Sequence, residues 1–277
     1  MVIQDIVKIL TDSGIEPNEA NIEVKMLIEH FAGFGVKDII MGKKLDAEKL
    51  KIVEEKARLR ARTHQPIQHI IGFADFMGEK FIVNNDVLIP RDETEILVLK
   101  AVEIINKNNF KMALDVGTGS GCIACMVAKL SDCQIIGLDI SKEALNIALD
   151  NASRLNLFNK AIFRKSDIFS NVKPGEKFDI IISNPPYIPS SEKFDIQEEV
   201  KFDPELALFT SDEKGLEFYQ KITEQAPKIL NKGGYLVFEL GINQAEDVRK
   251  IMEDNGFSDI NIIKDLANIE RVIFGKI

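Results

Sequence analysis

Two rhythms of side chains divide the chain. Up to about residue 70, positions such as Ile3, Ile6 and Leu10, then Ile22, Met26 and His30, then Leu50, Val53 and Ala57 recur every three or four residues. That is the period of an amphipathic helix. Breaks fall from Gly14 to Asn18 and from Gly33 to Gly35, and the acid-rich Asp46-Ala47-Glu48 opens the third helix. A small helical bundle is predicted. Near Gly72 the rhythm changes, and residues 73–78 and 81–89 look like two short strands around Gly78, a β-hairpin. After Pro90 strands and helices alternate. Strands are expected over 111–115, 134–139, 178–183, 235–239 and 271–275, and helices over 122–130, 141–156 and 215–230. Alternation with strands this apolar predicts an α/β fold with a parallel sheet covered on both faces. The expected organisation is a helical domain over 1–72, a hairpin linker over 73–90 and a large α/β domain over 91–277.

Composition agrees with two folded parts. The chain has 277 residues, 45% of them hydrophobic, which supplies a sizeable core and argues against disorder. No run approaches the roughly 18 apolar residues of a membrane helix. The start of the chain meets an acid at Asp5 and lacks the basic and apolar regions of a signal peptide, so a cytoplasmic protein is expected. The net charge of −9 is unevenly spread: residues 1–75 carry 11 basic and 12 acidic side chains, and the remainder 24 and 32. An acidic catalytic part is the wrong sign for a dedicated nucleic-acid binder. The basic run from Lys49 to Arg62 reads as a solvated helix surface, with Arg58 and Arg62 on one face and Arg60 pointing elsewhere. Cys122 and Cys125 have Cys-x-x-Cys spacing, but with only Cys133 besides and three distant histidines they read as small core residues, and no metal site is expected.

Two motifs carry chemistry. Asp115-Val-Gly-Thr-Gly-Ser-Gly121 follows the first sheet strand and opens a helix. Its glycines let the backbone approach a ligand beyond the carboxyl end of the strands, and Asp139 ends the next strand where an acid could accept from ribose hydroxyls. A dinucleotide would use the same elements. A dinucleotide fingerprint, however, wants its third glycine at position 122, which is Cys122; glycines at 117, 119 and 121 resemble the S-adenosylmethionine loop of class I methyltransferases. The second motif is Asn184-Pro185-Pro186-Tyr187, straight after the apolar strand 178–183. Two prolines stiffen the loop and remove donors, leaving the Asn184 side-chain oxygen and the Pro185 carbonyl as fixed acceptors for a planar –NH₂ group. Tyr187 offers a flat face against such a group.

Together with Val87-Leu-Ile-Pro-Arg91, Glu93-Thr-Glu95, Asp203-Pro-Glu-Leu-Ala-Leu208 and Asn268-Ile-Glu-Arg271, these motifs resemble the HemK/PrmC family over nearly the whole chain. Asp92, Thr210, Ser211 and Ala267 differ from that family's usual residues. The resemblance implies a Rossmann-like, mostly parallel seven-stranded sheet, with the helical domain recognising the substrate. It implies methyl transfer from S-adenosyl-L-methionine to the side-chain amide of the Gly-Gly-Gln glutamine in class 1 peptide chain release factors, a step in translation termination. Gly117, Thr118, Gly119, Ser120, Gly121, Asp139, Ile168 and Asn184 would contact the cofactor. Asn184, Pro185, Pro186 and Tyr187 would hold the glutamine, with Asn184, Pro185 and Tyr187 catalytic. A monomer is expected, with no direct contact to nucleic acid and none to a membrane. The competing reading is an adenine-N6 methyltransferase, which would use the same loop on a flipped base. A non-catalytic binding module would be expected to lack Asn184 or Tyr187, and a dinucleotide oxidoreductase lacks its glycine spacing.

Overall fold

The computed structural model describes residues 3–277 apart from positions 44 and 195. The chain divides into two compact units, one reaching to Phe73 and including Gln197–Phe202, the other comprising Ala74–Ile196 and Asp203–Ile277. Among the described residues no helix is long and apolar enough to cross a membrane.

The first unit holds α1 (Ile3–Thr11), α2 (Pro17–Ala32), α3 (Val36–Ile40), α4 (Ala47–Thr63) and α5 (Ile67–Ile71). Asp46 caps α4 by accepting from the Glu48 and Lys49 amides. Ile6, Leu10, Val24, Leu27, Ile28, Val53 and Ala57 form its core. One face differs from expectation. Ile22 is 58% exposed and His30 is exposed too, while Met26 is half-buried against the core, so the series runs along the edge of the buried face of α2. The buried face includes Glu23, which accepts from both Arg60 Nε at 3.0 Å and Nη2 at 2.9 Å. Arg60 is itself 1% exposed and also reaches Glu199, 3.2 Å away. A charged residue marks the wrong side of a helical pattern when its partner is buried with it. Arg58, by contrast, pairs on the surface with Glu54.

The second unit begins within β1 (Phe73–Phe76), which Met77 and Gly78, both at positive φ, join to β2 (Glu79–Ile82). This is the two-residue hairpin turn that suits strand twist. The hairpin is shorter than the sequence suggested: past Ile82 the chain turns, with Asn84 accepting from the Asp86 and Val87 amides. Then come α6 (Asp92–Asn108), β3 (Met112–Val116), α7 (Cys122–Leu130), β4 (Gln134–Asp139), α8 (Lys142–Arg154), β5 (Ala161–Lys165) and β6 (Phe178–Ser183). The short β7 (Ile188–Pro189) pairs with β8 (Phe209–Thr210), with α9 (Glu205–Leu208) between them. The chain ends with α10 (Glu217–Ile229), β9 (Leu230–Glu239), α11 (Ala245–Asp254), β10 (Ser258–Lys264) and β11 (Glu270–Lys276). The helices α6 and α11 and the strands β5 and β10 lay outside the sequence expectation. The strands Ala161–Lys165 and Ser258–Lys264 mix polar and apolar residues at the two sheet edges.

Seven strands form one sheet in the order β10-β11-β9-β6-β3-β4-β5. The run from β9 to β5 is parallel, and β11 is antiparallel to both its neighbours. Central strands feed two cores by alternation: Ile180 and Ile182 face one and Ile181 the other, while an irregularity in the pairing between Phe178 and Ile180 places Phe178 with Ile181. Each such side chain contributes about 1.5–3 kcal/mol on burial. All three cysteines are buried, and burial pushes the Cys122 thiol up to about 12.

Removing Glu23 strands a buried guanidinium. Glu23→Ala is expected to cost about 3 kcal/mol or more of stability, read from urea unfolding, whereas Glu54→Ala should change it by less than about 1 kcal/mol.

Candidate active site

The strand order reverses beside β3. The chain winds from β3 to β4 and β5 on one side, then returns to lay β6 on the other. Ligands bind in the crevice at such a switch, beyond the carboxyl ends of the strands. The two motifs leave adjacent strands there, with Val116 paired to Ser183. The Ser183 hydroxyl donates to the Val116 carbonyl at 2.6 Å, locking the two loop origins together.

A cavity of about 510 Å³ opens at this point, within the range of small-molecule sites. Gly117, Gly119, Asp139, Ile168, Asn184, Pro185 and Pro186 line it. The Gly117 and Thr118 amides donate to the Leu138 carbonyl, which folds the loop over the end of β4. Gly119 has φ +52, and a Cβ there would point into open space. Asp139 accepts from the Gly119 amide at 2.8 Å and the Ser141 amide at 2.9 Å, one on each oxygen, leaving further lone pairs for hydroxyls of a ligand. Ile168 sits at φ 47, a costly conformation for a β-branched residue. Ser166 holds it there, donating to the Ile168 carbonyl and accepting from the Asn171 amide.

Four of the expected site residues lie off the cavity wall. Thr118 is buried and donates to Asp115 at 2.6 Å. Ser120 is buried, its carbonyl accepting from Asn151, which also bonds both the amide and the carbonyl of Ile82 and so ties the hairpin to the loop. Gly121 starts α7 with its Cα against Ala148, where a Cβ would come within 2.9 Å. Tyr187 packs on the apolar cluster of one sheet face, over Gly241. Burial and the nearby Glu239 carboxylate push its phenol up to about 12, so it stays neutral.

The structure adds residues that the sequence did not single out. Gln244 donates to the Tyr187 carbonyl at 3.0 Å and to the Lys214 carbonyl at 2.9 Å, and accepts from the Gly241 amide. It clamps the end of the proline loop. Asp203, wholly buried, accepts from Arg91 at 2.7 Å and so holds residues 203–207 beside Val87 and Leu88 on the cavity rim. Glu239 ends β9 buried, beside Thr94 and Asn184. The available signal was an acid closing an apolar parallel strand, the same signal that marks Asp139.

The comparisons with known proteins fit this geometry. The profile of a methyltransferase domain matches residues 107–270. A release factor glutamine methyltransferase of Bacteroides thetaiotaomicron is 38% identical, over 93% of this chain and 92% of its own. One of Geobacter sulfurreducens is 36% identical, over 97% and 93%.

The chain belongs to the release factor glutamine methyltransferase family.

It is an S-adenosylmethionine-dependent methyltransferase. Among solved structures, the hMettl16 catalytic domain in complex with MAT2A 3′UTR hairpin 1 superposes with a TM-score of 0.60 at 16% identity, over 80% of each chain. A methyltransferase from Pyrococcus furiosus gives 0.53 at 20% identity, over 73% of this chain and 90% of its own. At these identities they share the fold.

Two outcomes are expected. Gly119→Asn, whose side chain tolerates φ +52, reaches into the open space beside Asp139 and should abolish S-adenosylmethionine binding by calorimetry, with only a modest loss of thermal stability. Burial lifts Asp115 from 3.8 to about 7, so the native state holds its proton more tightly than the unfolded chain. That share of stability is complete below about pH 4 and lost as pH rises to about 7. Asp115→Asn keeps an acceptor for Thr118 and should flatten this decline in thermal unfolding midpoints.

Proposed function

We propose that the chain methylates the side-chain amide nitrogen of the glutamine in the Gly-Gly-Gln motif of class 1 peptide chain release factors. The observation that carries this reading is the presence of Asn184 and Pro185 on the wall of the same cavity as Gly119 and Asp139. Family membership supports it.

The residues present suit S-adenosylmethionine. Gly117 and Gly119 leave room for it, Asp139 has lone pairs for the ribose hydroxyls, and Ile168 lies on the cavity wall for the adenine. When bound, it supplies an electrophilic methyl group on a sulfonium. An amide nitrogen is a poor nucleophile because its lone pair is delocalised into the carbonyl. Asn184 Oδ1 and the Pro185 carbonyl accept its two N–H bonds, bias the nitrogen toward tetrahedral geometry and aim the lone pair. The gain lies in positioning and a preorganised polar wall. Tyr187 is too weak an acid to serve as an ionised base, and its ring, packed over Gly241, supports the proline loop. The helical unit, with Gln197–Phe202, recognises the release factor, and the protein works as a cytoplasmic monomer.

Asn184→Ala removes one of two acceptors from the reacting nitrogen. At saturating S-adenosylmethionine it should lower kcat on release factor by about 10²–10³, while Tyr187→Phe, which keeps the ring, should turn over at close to the wild-type rate. Wild-type turnover by Asn184→Ala would sink the two-acceptor account.

A further inference from the structure

Asn184 presents either an oxygen or an –NH₂ to the cavity, depending on which way round its amide sits, and only the oxygen can accept an N–H. Its Nδ2 lies 3.4 Å from the Thr94 hydroxyl, to which it donates. Thr94, in the first turn of α6, is 3% exposed. The Glu239 carboxyl, also 3% exposed, lies close enough to Thr94 and Asn184 for both to favour its ionised form. Glu239 Oε2 has no hydrogen-bond partner. A buried carboxylate with nothing to balance it fully costs stability and calls for a reason.

We infer that Glu239 is a positioning residue, which acts through Thr94 to hold the Asn184 amide with Oδ1 toward the target nitrogen. An ionised carboxylate can only accept, so the Thr94 hydroxyl must spend its one proton on Glu239. Its lone pairs then face Asn184 and can be met only by Nδ2, and the oxygen is left for the cavity. Once Glu239 is protonated, its own O–H can donate to Thr94, whose hydroxyl is freed to donate to Asn184 Oδ1. The preference between the two amide orientations disappears. The groups facing Glu239 are Glu93 on α6, Arg271 on β11, Tyr187, Tyr219 on α10 and Cys122 on α7. Burial raises its pKa above that of an ordinary carboxylate; Thr94, Arg271 and Asn184 oppose the rise and Glu93 adds to it, and the outcome is about 7. The device therefore changes state near neutrality.

This rests on the amide-methylation reading, so one measurement is made without substrate. In the ligand-free protein, the Asn184 side-chain amide resonances should shift with pH around a midpoint near 7, and should lose that step in Glu239→Gln. Resonances that do not move, or that move identically in both proteins, overturn the inference whether or not the enzyme turns over. With release factor and S-adenosylmethionine saturating, wild-type kcat should fall as pH drops through about 7. Glu239→Gln, whose amide can donate to Thr94 as a protonated carboxyl does and cannot ionise, should lack this limb and hold the low wild-type acid-side rate at every pH. Thr94→Val, checked for folding by thermal unfolding, should lose on the order of 10²-fold in kcat with KM for S-adenosylmethionine little changed. An acid limb retained in Glu239→Gln, or wild-type kcat in folded Thr94→Val, overturns the positioning role. A wild-type protein that does not methylate release factor overturns the substrate reading instead.

Discussion

The pairing of β3 with β6 is the constraint on which the rest of the site depends. These neighbours are 67 residues apart at the Ser183–Val116 hydrogen bond, yet their carboxyl ends emerge side by side because the strand order reverses between them. Parallel strands buried on both faces leave little freedom of register: a one-residue slip would turn Ile180 and Ile182 into the other core. The register that satisfies the two cores therefore also sets the spacing between the glycine loop and the proline loop. Packing of aliphatic side chains far from the cavity thus decides where the chemistry can happen.

The same geometry explains the buried acids. Asp115, Asp139 and Glu239 each stand at or next to the carboxyl end of a parallel strand, where the sheet stops offering backbone partners. Burial raises all three pKa values. Asp139 has two backbone amides to hold and Asp115 has Thr118. Asp115 and Glu239 each keep one oxygen unpartnered. Such groups detract from stability, and their place around one cavity is the kind of cost that functional sites carry.

A methyltransferase that binds an RNA hairpin and relatives that methylate release factors can share this framework, since the fold supplies the crevice and the loop, not the partner. Discrimination between an adenine amino group and a glutamine amide must come from what lies outside the shared sheet. Here the chain beyond position 75 is acidic, with 32 acidic against 24 basic residues, which disfavours a polyanion. The helical unit also lies outside the shared sheet and is held together by a buried Glu23–Arg60 pair that draws in Glu199 from far along the chain.

The sequence alone determined what is local and periodic. The strand-and-helix alternation, the bounds of Cys122–Leu130 and Gln134–Asp139, and both motif loops were legible because glycine spacing, paired prolines and apolar runs act on their own neighbourhood. The face of α2 was misread because Glu23 is buried by Arg60, 37 residues on, a fact no periodicity contains. The edge strands β5 and β10 were missed because an edge needs no continuous apolar run. Only the tertiary structure decided which loop residues face the cavity and which, like Thr118 and Ser120, turn inward. Only it brought Thr94, Asn184 and Glu239 together from three elements. Hydrogen bonds between residues distant in the chain depend on sheet order and register, and those are settled by the packing of the whole core.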